Sequence, residues 1–227
     1  PDQLPATDSG QGSILLVSVP DMATGETRVS VIQPLVGGSG GRPVDDGVDG
    51  TMVILNFLKN VPTELLEHEM PNLLIRRYAL REDSGGAGRY RGGTGSIVEF
   101  ETNVPFTTIT ARNMERYLFP PAGRKGGTPG TTGYTILNPD SDSPVDIGKI
   151  DILEMDAGDV LRLGTQGGGG YGDPLERPAA TVWEDVLDEY VSIETAREKY
   201  GVIGTLESGL DASATETLRR EMRDARR

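Results

Sequence analysis

Along the first 165 residues, short runs of aliphatic and β-branched side chains alternate with polar ones and are cut by turn residues every few positions. Eight such runs stand out: 13–19 (SILLVSV), 28–35 (RVSVIQPL), 51–57 (TMVILNF), 73–80 (LLIRRYAL), 96–101 (SIVEFE), 107–112 (TTITAR), 149–155 (KIDILEM) and 159–164 (DVLRLG). SIVEFE and KIDILEM alternate in the strict period of two that half-buried strands require. The period changes near the end. In TVWEDVLDEY, Trp183, Val186, Leu187 and Tyr190 fall at helical spacing, with Thr181 and Glu184 placed as a capping box. VSIETAREKYG gives an N-cap at Ser192 and a C-terminal stop at Gly201, and SATETLRREMRDARR offers a second box, Ser213 with Glu216. A shorter helix is predicted within 62–69, ended by Pro71. The fold class predicted is α+β, predominantly β: a mixed or antiparallel sheet core with ordered glycine-rich loops and a C-terminal group of short helices. Residues 1–175 form the β-rich part, and 176–227 form a helical segment packed on it or on a partner chain.

Glycine patches at 37–41, 85–95, 123–133 and 164–172 adjoin strand runs instead of separating domains. A flexible linker would be serine-rich and would lie between domains. These patches read as tight, ordered turns, with Gly38, Gly86, Gly93, Gly127, Gly168 and Gly169 as their structural positions. The four consecutive glycines 167–170 pose the question most sharply, because glycine costs more ordering entropy than any other residue.

Charge refines the picture. The 227 residues carry net −13, which argues against nucleic acid or an anionic membrane as partner. Residues 76–133, however, hold 9 basic and 5 acidic side chains, a net +4 between acidic flanks. Cysteine is absent, so thiolate chemistry and disulfides are excluded and a reducing, cytoplasmic compartment is expected. The chain lacks an initiator Met and reads as a piece of something longer.

Familiar catalytic strings fail on their mechanics. GGSGG (37–41) matches a nucleophile elbow with Asp45 and His68 in order, but Pro43 and Gly47 occupy the place of the helix that must follow Ser39. DSGG (83–86) would need His68, the sole histidine, which sits among glutamates; one histidine also excludes a multi-histidine metal site in this chain. Phosphate-loop templates break at Arg124 and Arg91, and GGYGDP misplaces Asp173 for a calcium nonapeptide. What remains is the arginine set: Arg76, Arg77, Arg81, Arg89, Arg91, Arg112, Arg116 and Arg124. Most are expected to pair with the acidic flanks. Arg91, between Tyr90 and Gly92, and Arg112, ending a strand, are the candidates to bind a substrate or anionic intermediate.

Taken in order, GGSGGRPVDDGVDG, NVPTELLEHEMP, YALREDSGGAGRYRGGTG, PPAGRKGGTPG and GGGGYGDPLERP resemble the second half of the hydantoinase B/oxoprolinase family, and the tail from VWEDVLDEY to LRREMR continues the match. Two departures are Glu189-Tyr190, where the family usually carries a glycine, and the variable surroundings of His68. The resemblance implies the C-terminal part of the B component of an ATP-dependent amidohydrolase opening hydantoin, 5-oxoproline or lactam rings. Its alternatives are a ketone carboxylase of the acetone or acetophenone type, or a non-catalytic scaffold of such a complex. It further implies that ATP is bound by a hydantoinase A-type partner. A divalent metal, zinc or manganese, would be held by the N-terminal half of the B component, with no cofactor or metal in this chain, which would not be catalytic alone.

Overall fold

The computed structural model describes residues 3–10, 12–51 and 63–226. Two antiparallel sheets carry the β-rich part. The first has four strands in the order β2 (Thr27–Val36), β1 (Gly12–Pro20), β5 (Thr107–Arg112), β8 (Ile152–Met155). The second has five: β3 (Leu73–Leu80), β4 (Ser96–Thr102), β9 (Val160–Gly164), β6 (Tyr134–Leu137), β7 (Val145–Asp146). The period-two pattern of β1 buries Ser13, Leu15, Val17 and Val19 and turns Ile14, Leu16 and Ser18 outward. One core draws on both sheets: Leu15, Val17, Ile32 and Ile109 from the first join Leu73, Phe100, Leu161 and Leu163 from the second. Phe100 is fully buried at its centre.

Seven of the eight predicted strands fall within the described residues and appear there; the run at 51–57 lies outside them from residue 52 on. The C-terminal strand runs are shorter than predicted, since β8 begins at Ile152 after Gly148 takes a positive φ of 65°. Pairing added what periodicity could not show: β6 and β7 are four and two residues long and exist because β6 completes the ladder beside β9.

Helix α1 (Thr63–Glu69) packs Leu66 inward and closes one end of the core. The C-terminal helices α2 (Ala179–Leu187), α3 (Ile193–Tyr200) and α4 (Ala212–Asp224) follow, with a two-stranded ribbon, β10 (Gly204–Thr205) and β11 (Gly209–Leu210), between the last two. Two predicted caps are corrected. Helix α2 starts at Ala179 after Pro178, so Thr181 lies inside it, and Val182 takes the buried place assigned to Leu187, which is exposed. Helix α4 is capped by Asp211, whose carboxylate accepts from Ala214 N at 2.9 Å, so Ser213 is not the cap. Ser192 does cap α3, accepting from Thr195 N at 3.0 Å, and Gly201 ends it with a φ of 62°. Val182, Trp183, Val186, Ala196 and Tyr200 form a second small core that includes Ala87 of a glycine-rich loop. Among the described residues no helix is long and apolar enough to cross a membrane.

Candidate functional site

The glycine patches converge on one layer, with the run 167–170 at its centre. The backbone hydrogen bonds of Gly168, Gly169 and Gly170 all leave the run, for four surrounding segments. Gly168 N donates to Gly93 O (2.9 Å), Gly169 N to Thr7 O (2.8 Å) and Gly170 N to Thr128 O (2.9 Å). Their carbonyls accept from Gly86 N (2.8 Å), Gly41 N (2.8 Å) and Arg124 N (2.9 Å). A Cβ placed on Gly167 would fall on the carbonyl of Ser84, on Gly168 on that of Ser39, on Gly169 on that of Ala122, and on Gly170 on that of Ala87, back in the first segment. That return after three residues is the repeat of a polyproline-II-like rod, which has no internal hydrogen bonds and must find all of them outside itself. Four glycines in a row are needed because backbone surrounds the rod on three sides. None of the four takes a positive φ; that conformation appears next at Gly172, at 78°.

The neighbouring segments meet the same demand. A Cβ on Gly38 would strike the carbonyl of Gly93, on Gly86 that of Thr128, on Gly93 that of Val48, and on Gly127 that of Gly170. The serines of the two discarded hydrolase strings are clamps in this layer. Ser39 Oγ accepts from Val48 N at 2.7 Å, and Ser84 Oγ donates to Arg81 O at 2.6 Å while accepting from Gly95 N at 2.8 Å. No helix follows Ser39 in residues 40–51.

Buried charge braces one side of the layer. Arg91 forks onto Asp49, Nη1 to Oδ1 at 2.7 Å and Nη2 to Oδ2 at 3.2 Å, with Nε 3.5 Å from Asp185 and its guanidinium 4.6 Å from the ring centroid of Tyr190. Arg177 forks onto Asp46 with both contacts at 2.7 Å and reaches Asp185 through Nε at 3.0 Å. Burial works against the Arg91 charge, but the hydrogen bond and charge of Asp49 outweigh it, so the guanidinium is held more firmly ionised than usual. Burial pushes the Asp185 carboxyl up, against the pull of Arg177 and Arg91. Asp46 and Asp49 also accept from Arg91 N and Thr94 N, each at 2.7 Å, so the same carboxylates that balance the arginines pin the loop backbone. Sequence reasoning singled out Arg91 and missed Asp46, Asp49, Arg177 and Asp185. The available signal was three aspartates in six residues, DDGVDG, beside glycines that have no room for solvated side chains.

Arg112 lies elsewhere, exposed at the end of β5 and on the rim of a cavity of about 390 Å³ shared with Asn113, Glu115, Lys149 and Asp151. Its Nη1 donates to Ala111 O at 2.7 Å. Arg89 pairs with Glu176 of the acidic C-terminal flank as expected, whereas Arg76 and Arg77 pair with Glu101 and Glu99 of the basic third itself, on the strand beside their own. Arg81 donates to the carbonyls of Thr132 (2.7 Å) and Thr165 (2.8 Å) and stacks on Tyr134. Among the described residues no group of three or more His, Asp or Glu side chains is placed to hold a metal.

Comparison with known proteins gives this geometry a family context. A family model described as hydantoinase B/oxoprolinase matches residues 1–174. The chain is 35% identical over 198 residues to the beta subunit of caprolactamase from Pseudomonas jessenii, covering 83% of this chain and 33% of that one. It is 32% identical over 188 residues to the B component of a putative D-/L-hydantoinase from Pseudomonas sp. (strain NS671), covering 81% and 31%. It thus spans about a third of the length of these relatives. A crystal structure of ATP-dependent caprolactamase from Pseudomonas jessenii superposes with a TM-score of 0.83 at 29% identity, covering 97% of this chain and 39% of the other. A nucleotide-free acetone carboxylase shares the fold, with a TM-score of 0.79 at 20% identity, over 96% and 34%.

Proposed function

The chain belongs to the hydantoinase B/oxoprolinase family, and from this we propose that it supplies the distal part of the B component of an ATP-dependent enzyme that opens cyclic amides. Its partners are the remaining part of the B component and a hydantoinase A-type component that binds ATP. The carrying observation is the pair of relatives above 30% identity whose names concern a lactam and a hydantoin, while the likeness to a ketone carboxylase is one of fold. ATP-dependent chemistry in a chain without cysteine suits the cytoplasm.

In this reading the chain offers shape more than reactive groups. The glycine layer is rigid because its backbone is bonded to its neighbours on three sides, and a rigid wall holds a reacting geometry without reorganising. Arg112 would meet the anionic intermediate that ATP activation creates, a reading supported by its exposure on the cavity rim. Arg91 acts through position: committed to Asp49 and Asp185, it holds the loops from which the layer is built. Binding of ATP and of a divalent metal is assigned to the other parts of the complex.

The test is ATP hydrolysis by the assembled complex, screened against lactams, hydantoins, 5-oxoproline, and ketones with bicarbonate. Stimulation by a cyclic amide with ring-opened product supports the proposal. Bicarbonate-dependent consumption of a ketone without ring opening assigns the carboxylase instead. Arg112→Ala should slow turnover about a hundredfold or more with normal assembly, as loss of a preorganised donor does; unchanged turnover would leave the chain as a scaffold.

A further inference from the structure

The two sheets treat their outward faces differently. On the five-stranded sheet the outward residues form cross-strand ion pairs: Arg77 opposite Glu99, Glu99 opposite Arg162, with Arg162 Nε 2.6 Å from Glu99 and Nη2 3.1 Å from Asp140. Arg76 pairs with Glu101 beside them. That is how a solvent face is built.

The four-stranded sheet shows the opposite. Register aligns Val31, Leu16, Thr110 and Ile152 in one row across all four strands, and Val29, Ser18, Thr108 and Glu154 in the next. The first row contains no charge. Val29 is 62% exposed, Val31 43%, Leu16 37% and Ile152 75%, and the inward face of the same strands is already committed to the core. The charges on this face stand at the borders of that row: Glu154 ends the second row, and Arg112 lies opposite Ile14 on the other side. An uncharged row of exposed aliphatic side chains between them is the kind of surface that association covers.

We propose that the outward face of β2-β1-β5-β8, centred on Val29, Val31, Leu16 and Ile152, is the seat of the part of the B fold that the relatives carry beyond this chain. The occupant follows from length and chemistry. The caprolactamase structure matches nearly all of this chain, yet the match takes in only 39% of that structure's own chain. The larger remainder must share an interface with this unit, and the uncharged row packs there with Glu154 and Arg112 left at its borders. The inference rests on the chain being a part of the B component, and not on which ring the enzyme opens.

A chain without cysteine makes the test direct. Leu16→Cys, Val31→Cys and Ile152→Cys are made singly, with Arg76→Cys on the charged sheet as control, and maleimide labelling is timed on the isolated chain and on the chain coexpressed with the rest of its B component. The three face cysteines should label readily in isolation and at least about tenfold more slowly in the assembly, with the control unchanged. Equal rates in both states overturn the proposal. So does slow labelling of the isolated chain together with a dimer in sedimentation, which would give the face to a second copy. Far-UV circular dichroism checks each variant, and the remaining positions carry the test if one fails to fold. Labelling does not read turnover: a protected but inert complex retires the cyclic-amide function alone, and an active complex with unprotected cysteines retires this inference alone.

Discussion

At the residue scale, the chemistry of this chain is dominated by the side chain that is missing. Gly168→Ala would drive a methyl group into the carbonyl of Ser39, and Gly169→Ala into that of Ala122. Both carbonyls belong to backbone that is itself hydrogen-bonded, so neither can retreat. Each substitution should cost at least about 2 kcal/mol in chemical denaturation, in the upper range for overpacking, whereas Gly158→Ala, with open space around it, is penalised only by its φ of 90°. A near-neutral Gly168→Ala would mean that the rod is not packed as described. Arg91→Ala would leave the partly buried Asp49 without its cation and Asp185 with Arg177 alone, and the expected loss is about 3 kcal/mol. Arg91→Lys should recover only part of it, since an ammonium cannot reproduce the fork onto Asp49.

At the element scale, strands and helices are held by different means. Phe100 on β4 is fully buried between the sheets, and Phe100→Ala should destabilise by about 3–5 kcal/mol. The turn joining β3 to the glycine layer carries a pH-dependent cost. Burial, and then the charges of Asp83, Glu189 and Glu194, push the Glu82 carboxyl above its ordinary range. A carboxyl raised by folding is destabilising while it is ionised, and the cost disappears as pH falls through its raised value. Glu82→Gln should therefore raise the melting temperature slightly near neutral pH, and the gain should vanish in acid where both side chains are neutral; a gain independent of pH would assign the effect to something other than charge. On α4, Asp211→Ala removes the N-cap and should cost about 1 kcal/mol.

At the scale of the whole molecule, two sheets, a glycine layer and a helical cap form a unit that spans about a third of the length of the relatives it matches. Its described residues present no metal-ligand cluster, and its most orderly feature is a wall of backbone. The isolated chain should neither hydrolyse ATP nor retain zinc or manganese stoichiometrically. Metal analysis and a phosphate-release assay check this, and one tightly held ion would overturn the assignment of metal binding to the rest of the assembly.

Alternation along SIVEFE, the N-cap at Ser192 and the stop at Gly201 are short-range signals, legible because their physics acts between residues a few positions apart. The predominantly β class followed from the spacing of such runs, while the choice of antiparallel over mixed pairing came with the fold. The glycine patches announced order, but the reason for them lies between segments: Gly168 answers to Ser39 and Gly93, and no local pattern reports that distance. The caps at Thr181 and Ser213 misled because a capping string is common and Pro178 and Asp211 offered earlier starts. The pairing of Arg91 with Asp49, of Arg177 with Asp46, and the row from Val31 to Ile152 were decided by folding, since each joins residues dozens of positions apart whose encounter depends on strand order. Local sequence sets which backbone shapes a segment can adopt; which carbonyl then occupies the space beside a glycine is settled by the segments that close around it.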